Sequence, residues 1–229
     1  MSNFCFILVG TKKYFSFGVK LLESMETFLK GEYDVLFISD FENMNKYQKH
    51  NVFYSEVPNE PWPFPTLKRF HYILNNKKFL KKYNNLLYLD TDMRFVSDVK
   101  LEELISERLV VQHQMMNDCM PEEYTFETNP NSTAFISHDK RPPFYYQNNV
   151  FGGSTDNVLK MCKHLSKNID TDLSNNIVAK WWDESHANRY YIKNAPTKIL
   201  SLEYNCPEDR ILDNKKIIHI CKDNECLRK

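Results

Sequence analysis

The sequence predicts an α/β fold with a largely parallel sheet, and three observations carry that expectation. Short apolar runs bounded by breakers recur early, in FCFILVG (4–10), YDVLFISD (33–40) and NNLLYLDTDMRF (84–95). Between them lies YFSFGVKLLESMETFL (14–29), whose Leu21, Leu22, Met25, Phe28 and Leu29 fall on one face at helical spacing. Strands that alternate with helices in this way require crossover connections, and crossovers build parallel sheets.

Taken in order, FCFILVG is the first strand and 14–29 the first helix. YDVLFISD and NVFYSEV (51–57) are further strands. The breaker run PNEPWPFP (58–65) precedes TLKRFHYILNNKKFLKKY, read as a helix on Leu67, Phe70, Ile73, Leu74 and Phe79. RLVVQHQ (108–114) is another strand, whereas Met115 to Pro143 is polar, aperiodic and proline-bearing, the signature of a long functional loop. TDNVLKMCKHLSKNI (155–169) and LSNNIVAKWWDESHANRYY (173–191) read as helices with Thr155 and Ser174 as N-caps. TKILSLEY and KKIIHIC supply late strands before a charged tail, CKDNECLRK.

The 229 residues suit one domain with one sizeable core, and neither a repeat nor a clear linker divides them. Hydrophobic residues at 42% and charged residues at 26% are globular values. Thirty basic and thirty acidic side chains cancel, which removes the electrostatic footprint of a nucleic-acid binder. No apolar run reaches membrane-spanning length, and charge follows too soon after MSNFCFILVG for a signal peptide. The expectation is a soluble protein of the cytoplasm, with its six scattered cysteines reduced.

Chemistry enters at LYLDTD. One acid would suffice to end a buried strand, and Asp is a good turn former. In an extended segment, however, Asp90 and Asp92 project from the same side, so their carboxylates repel unless a cation lies with them. Hard divalent ions take oxygen ligands and need only one or two carboxylates when substrate phosphates complete the shell. Neither a G-x-x-x-x-G-K-[ST] loop nor a G-x-G-x-x-G fingerprint is present, so kinase, NTPase and dehydrogenase readings lose their support. Nucleotide-sugar chemistry remains, with Mg²⁺ or Mn²⁺ on a diphosphate leaving group.

YLDTDMRF, then FYYQNNVFGGS (144–154), WWDESHANRYY (181–191) and PTKILSLEY (196–204), resembles glycosyltransferase family 6, the retaining α-1,3-galactosyl and N-acetylgalactosaminyltransferases. The resemblance runs from about Ile7 to Arg228 and implies a single GT-A type nucleotide-diphospho-sugar transferase domain over residues 1–229. It implies transfer of a sugar from a UDP-sugar to a galactoside hydroxyl with retention. By its implication Ile7, Leu8 and Val9 hold uracil, Tyr14 contacts uridine, and Arg69 lies near the donor sugar and diphosphate. Asp92 is the direct metal ligand, with Asp90 reaching toward ribose and sugar; Lys222 and Arg228 fold over the diphosphate in a tail, about 220–229, that closes as a lid. Glu184 stands by the anomeric carbon, as stabiliser of an oxocarbenium or as nucleophile. Asp183 bonds the donor sugar's hydroxyls, Trp181 offers an acceptor platform, and His113 binds acceptor. Read without the resemblance, WWDESH is an amphipathic helix with its tryptophans inward and its acids outward, the tail a charged terminus, and the glycines of FGG a turn or a place where absent side chains let backbone approach a ligand.

The chain departs from that pattern in places. Family members place small residues after the Tyr-Tyr pair to separate galactose from N-acetylgalactosamine, whereas this chain has Gln147, Asn148 and Asn149. Asn149 is expected either to crowd an N-acetyl group and favour an unsubstituted sugar, or to bind a different hydroxyl pattern through its amide. Trp182 stands where the mammalian members commonly have His, and Asn205-Cys206-Pro207 alters the acceptor region. Animal members begin with a membrane anchor and stem, which this sequence lacks, so a bacterial or viral form is expected; its intact acids imply metal dependence. Two competing readings are a non-catalytic carbohydrate or nucleotide-sugar binding module, from the aromatic content, and an inverting or hydrolytic nucleotide-sugar enzyme of the same fold.

Overall fold

The computed structural model describes residues 3–40, 42 and 46–223. The first strand β1 (Phe4–Val9) leads through α1 (Tyr14–Phe28) and the two-residue β2 (Leu29–Lys30) to β3 (Asp34–Ser39) and β4 (Val52–Glu56). Three short helices follow, α2 (Phe64–Leu67), α3 (Arg69–Asn75) and α4 (Lys77–Leu80), where the periodicity predicts one. The breaks fall at Lys68 and Asn76, whose ψ angles near 0° leave the helical range.

The chain then enters β5 (Asn85–Asp90), β6 (Met93–Phe95), the short β7 (Val99–Lys100) and β8 (Arg108–Gln112). After a loop carrying only single 3₁₀ turns come β9 (Tyr146–Ser154), α5 (Thr155–Ser174), α6 (Trp182–Tyr191), β10 (Lys198–Leu200), β11 (Cys206–Pro207) and β12 (Ile217–His219).

Seven strands form the central sheet in the order β10-β8-β9-β5-β1-β3-β4. All pairings are parallel except those of β9, which runs against both β5 and β8. The fold is thus the expected α/β fold with a mixed, mostly parallel sheet flanked by helices. Alternation along β1 sends Phe4, Phe6 and Leu8 into one apolar cluster with α1 and Cys5 and Ile7 into the other with α3 and α5. Burial on both faces explains why β1 and β5 read as continuous apolar runs.

Two expectations for the helices are corrected. Thr155 is the first helical residue rather than the cap, and its hydroxyl donates to the Tyr83 carbonyl at 2.7 Å. Ser174 closes α5 instead of opening a helix. The helix continues past 169 because Asp172 is buried against the long loop, accepting from the Ser132 hydroxyl at 2.5 Å and the Thr133 N–H at 2.7 Å. Asn176, at φ 58°, then turns the chain out of the helix, so residues 177–181 are not helical and α6 begins only at Trp182.

A second sheet, β11-β12-β6, sits at the carboxyl end of β5. Its β12 lies antiparallel to β6, with Ile218 opposite Arg94 and His219 opposite Met93. The Ile220 N–H donates to the Asp92 carbonyl at 2.9 Å, extending that pairing to the residue that precedes β6. Five cysteines of the described residues are free thiols, three of them buried.

The glycines of FGG serve a close approach inside the sheet, not a turn. Gly153 has φ 147° and faces the Glu107 carbonyl where a Cβ would collide. Gly153→Ala is expected to lose about 2 kcal/mol or more of unfolding free energy, measured by urea denaturation, whereas a loss below about 0.5 kcal/mol would remove the close-approach argument.

Candidate active site

A cavity of about 530 Å³ opens at the carboxyl ends of β1 and β5, the position where open α/β sheets bind ligands. Its floor comes from β5: Val9 pairs with Asp90, and the turn after β5 carries Thr91 and Asp92. One wall is α2–α3, with Arg69; the opposite wall is β9 and the start of α6.

β9 shapes its wall by leaving the sheet. Val110 of β8 pairs with Phe151, but the next residue, Val111, pairs with Gln147, so three residues of β9 have no partner in β8. Two of them, Asn148 and Asn149, have none in β5 either, whose pairing ends at Val150. Their backbone is thereby available to the site. The Asn148 N–H donates to Glu184 Oε2 at 3.1 Å, and the Asn148 carbonyl accepts from Arg69 Nη1 at 3.0 Å.

Arg69 joins the two acidic pairs. Nη1 donates to Asp90 Oδ1 at 3.0 Å while Nε lies 3.2 Å from Asp183 Oδ2. The guanidinium is buried over the Tyr88 ring at 4.8 Å, and the Tyr88 hydroxyl adds a second bond to Asp90 Oδ1 at 2.7 Å. Burial opposes the charge on Arg69, but Asp183 and Asp90 outweigh it and hold the pKa above its usual value.

Asp92 is arranged differently from Asp90. It is 3% exposed; Oδ2 pairs with the Lys222 ammonium and lies 3.3 Å from His219 Nε2, while Oδ1 is buried without a hydrogen-bond partner. A buried carboxylate oxygen with no donor, beside a second acid, fits a hard cation whose remaining ligands come from phosphate. Among the described residues no three His, Cys, Asp or Glu side chains cluster as a self-sufficient metal site. Lys222 also lies 5.4 Å from the centre of the Tyr14 ring, so the beginning of the tail and α1 meet over Asp92.

On the opposite wall the α6 acids are held in a dry environment. Burial pushes Asp183 up to about 6, against the pull of Arg69 and of a hydrogen bond from Asn148 Nδ2. Burial pushes Glu184 up to about 8, against the Asn148 N–H. His113 faces Glu184, with Nε2 3.7 Å from Oε1. Its Nδ1 accepts from the Met115 and Met116 N–H groups at 3.1 Å each, so the proton resides on Nε2 and points at the carboxyl. Burial pushes His113 down to about 4, keeping it neutral.

Of the residues singled out in the sequence, Val9, Tyr14, Arg69, Asp90, Asp92 and Lys222 line the floor and the wall beside it. Gln147, Asn148, Asn149, Trp181, Trp182, Asp183 and Glu184 line the facing wall. Trp181 is 39% exposed at the rim, its Nε1 donating to Thr125 Oγ1 at 2.8 Å, and Trp182 packs edge-on to Trp62 at 4.8 Å.

Ile7 and Leu8 are corrected: both are wholly buried within the core on opposite faces of the sheet, so their side chains do not reach the cavity. Arg228 lies outside the described residues. Residues the sequence did not single out are Tyr88, Gln114 and His219. Tyr88 was open to inference, being two residues before Asp90 on the same side of one strand; the other two arrive through long-range pairing.

Sheet, crossover topology and acids at the strand ends define a GT-A type transferase domain. The chain belongs to glycosyltransferase family 6, whose sequence pattern matches residues 5–228. It is 33% identical to the rat histo-blood group ABO system transferase 1 over 62% of its own length and 41% of that protein's. It is 29% identical to the human globoside alpha-1,3-N-acetylgalactosaminyltransferase 1 over 94% of its length and 65% of the relative's. The O-antigen biosynthesis glycosyltransferase WbnI of Escherichia coli is 29% identical, with 85% of this chain and 81% of that protein covered. The chain thus spans about two fifths of the rat relative's length. Among the described residues no helix is long and apolar enough to cross a membrane.

The raised Glu184 pKa has a consequence for stability. A carboxyl that holds its proton more tightly folded than unfolded contributes most below the unfolded value of 4.5, and the contribution is lost as pH rises through about 8. Glu184→Gln is therefore expected to gain stability relative to the parent, on the order of a few kcal/mol, between about pH 5 and about pH 9. Denaturation midpoints across that range test it, and parallel curves for the two proteins would contradict the shift.

Proposed function

We propose that this protein is a metal-dependent retaining hexosyltransferase that moves galactose, N-acetylgalactosamine or a related hexose from a UDP-sugar to a hydroxyl of a galactoside glycan. The observation that carries this reading is the single cavity in which Asp90 and Asp92 face Asp183 and Glu184 across Arg69. Relatives named as a globoside alpha-1,3-N-acetylgalactosaminyltransferase and an O-antigen biosynthesis glycosyltransferase support the same chemistry.

In this reading the uridine lies against Val9 and Tyr14, and the diphosphate over Asp92. Mn²⁺ or Mg²⁺, held by Asp92 with Asp90, supplies positive charge for the leaving diphosphate. Arg69 fixes Asp90 and Asp183 at a set separation, so donor phosphate and donor sugar are positioned by one rigid group. Asp183 takes the sugar's hydroxyls.

As the anomeric C–O bond breaks, its electrons pass to the diphosphate oxygen, which takes the proton released by the acceptor hydroxyl, and positive charge grows on the sugar. Glu184, desolvated and reluctant to ionise in the free protein, is an anion strongly favoured by that growing charge. It stabilises the cation directly or bonds to it before the acceptor oxygen attacks. His113, whose Nε2 points at Glu184, binds the acceptor, and Trp181 offers its exposed ring to the acceptor sugar. Residues 1–229 work as one domain, and the tail from about 220, with Lys222 and Arg228, closes over the diphosphate.

Release of UDP from a panel of UDP-sugars, with and without Mn²⁺ and with and without β-galactosides, tests the reaction class. Chelation by EDTA and the substitution Asp92→Asn are each expected to abolish turnover; activity that survives both sinks the metal assignment. Glu184→Gln is expected to lower kcat by about 100-fold or more with little change in donor KM, and a near-normal kcat would remove Glu184 from the mechanism.

A further inference from the structure

We infer that His219 supplies an imidazole nitrogen to the metal ion at Asp92, and that this added protein ligand makes the site prefer a transition-metal dication such as Mn²⁺ to Mg²⁺. The inference rests on the metal-dependent UDP-sugar reading above and narrows its choice of ion.

His219 is the last residue of β12, and its backbone is fixed on both sides. Its carbonyl accepts from the Glu208 N–H at 2.9 Å, and it stands opposite Met93 of β6, the residue after Asp92. The next N–H along the strand, that of Ile220, donates to the Asp92 carbonyl itself. One short ladder therefore sets the imidazole and the carboxylate against each other. Ligands placed by paired strands need little rearrangement to receive an ion.

The spacing suits a shared ion. Nε2 of His219 lies 3.3 Å from Oδ2 of Asp92. Ligand atoms at about 2.1 Å from a metal on neighbouring corners of an octahedron stand about 3 Å apart, so one ion reaches both with little adjustment. Both residues line the cavity together with Asp90. The His219 side chain keeps 24% of its surface exposed, so the ring is open to a ligand there. It is also the one histidine among the described residues that line the cavity.

The same Asp92 Oδ2 pairs with the Lys222 ammonium. Lys222 lies three residues beyond the end of β12 and reaches the acid on a flexible stem, whereas His219 is tied into the ladder. A divalent ion competes with that ammonium for Asp92 and gains the imidazole as well. Lys222, displaced, keeps its charge for the diphosphate.

The nitrogen decides the metal. Mg²⁺ takes oxygen ligands and gives up its water reluctantly, whereas imidazole suits first-row transition ions. Two carboxylates with phosphate oxygens would accept either kind of ion; His219 weights the site toward the transition metals. These side chains do not fill a coordination shell, so tight binding is expected only when a diphosphate is present.

The test measures Mn²⁺ and Mg²⁺ binding to the full chain by calorimetry, with and without UDP, and records pulsed EPR spectra of the Mn²⁺–UDP complex. The parent is expected to bind Mn²⁺ more tightly than Mg²⁺ when UDP is present, and its spectrum to show coupling to a directly bound nitrogen nucleus. His219→Gln, which puts an amide oxygen near the place of the ring nitrogen, is expected to lose that coupling. It is also expected to weaken Mn²⁺ by about tenfold or more while changing Mg²⁺ less, drawing the two affinities together.

A parent whose Mn²⁺–UDP complex lacks nitrogen coupling overturns the inference. So does a His219→Gln variant that keeps the parent's ratio of Mn²⁺ to Mg²⁺ affinity. If His219→Gln does not fold, the spectrum of the parent decides alone. A parent that binds neither ion in the presence of UDP rejects the metal-dependent reading and the inference with it, a result distinct from binding without a nitrogen ligand.

Discussion

Everything else in the site depends on one buried cation. Arg69 holds Asp90 at the end of a central strand and Asp183 at the start of a helix some ninety residues later, and also donates to the Asn148 carbonyl between them. Two carboxylates in a dry cavity would otherwise push one another toward protonation or apart. A guanidinium suits this task better than an ammonium would, because its fixed planar fork addresses both acids at once and its face lies on Tyr88. Such a buried pairing is weak as a source of net stability, since desolvation offsets most of the attraction. Its value is geometric: it sets the distance between the two halves of the cavity.

Around that bridge the two acidic pairs meet different surroundings. Asp92 faces the Lys222 ammonium and the His219 imidazole, brought in when β12 pairs with β6. Glu184 faces a neutral imidazole and a single backbone N–H, and stays reluctant to ionise. In the proposed reaction one side meets the negative charge that leaves and the other the positive charge that appears. The same cavity provides both environments because one is built from a strand end with a tail across it and the other from a dry helix start behind a strand irregularity.

The fold was legible in the sequence where period and burial agree: β1, α1, β3, β5 and β8 fall where apolar runs and helical spacing place them. Legibility failed where a long-range contact decides. The extent of α5 is set by Asp172 reaching Ser132 and Thr133, a bond that no local pattern announces. The break between α5 and α6 turns on the backbone of Asn176. At the site, Asp90, Asp92, Asp183 and Glu184 could be named because acids at a strand end and after a tryptophan pair are conspicuous. Ile7 and Leu8 were misplaced because a buried strand looks alike whether a ligand or a helix covers it.

The departure of β9 from the sheet near Asn148 and Asn149 has a bearing on how such a molecule can change. Those positions hold no rung of either neighbouring ladder, so the architecture does not dictate which side chains occupy them. The scaffold and the side chains of this cavity wall are held by separate sets of bonds, and a lineage can revise the second while inheriting the first intact.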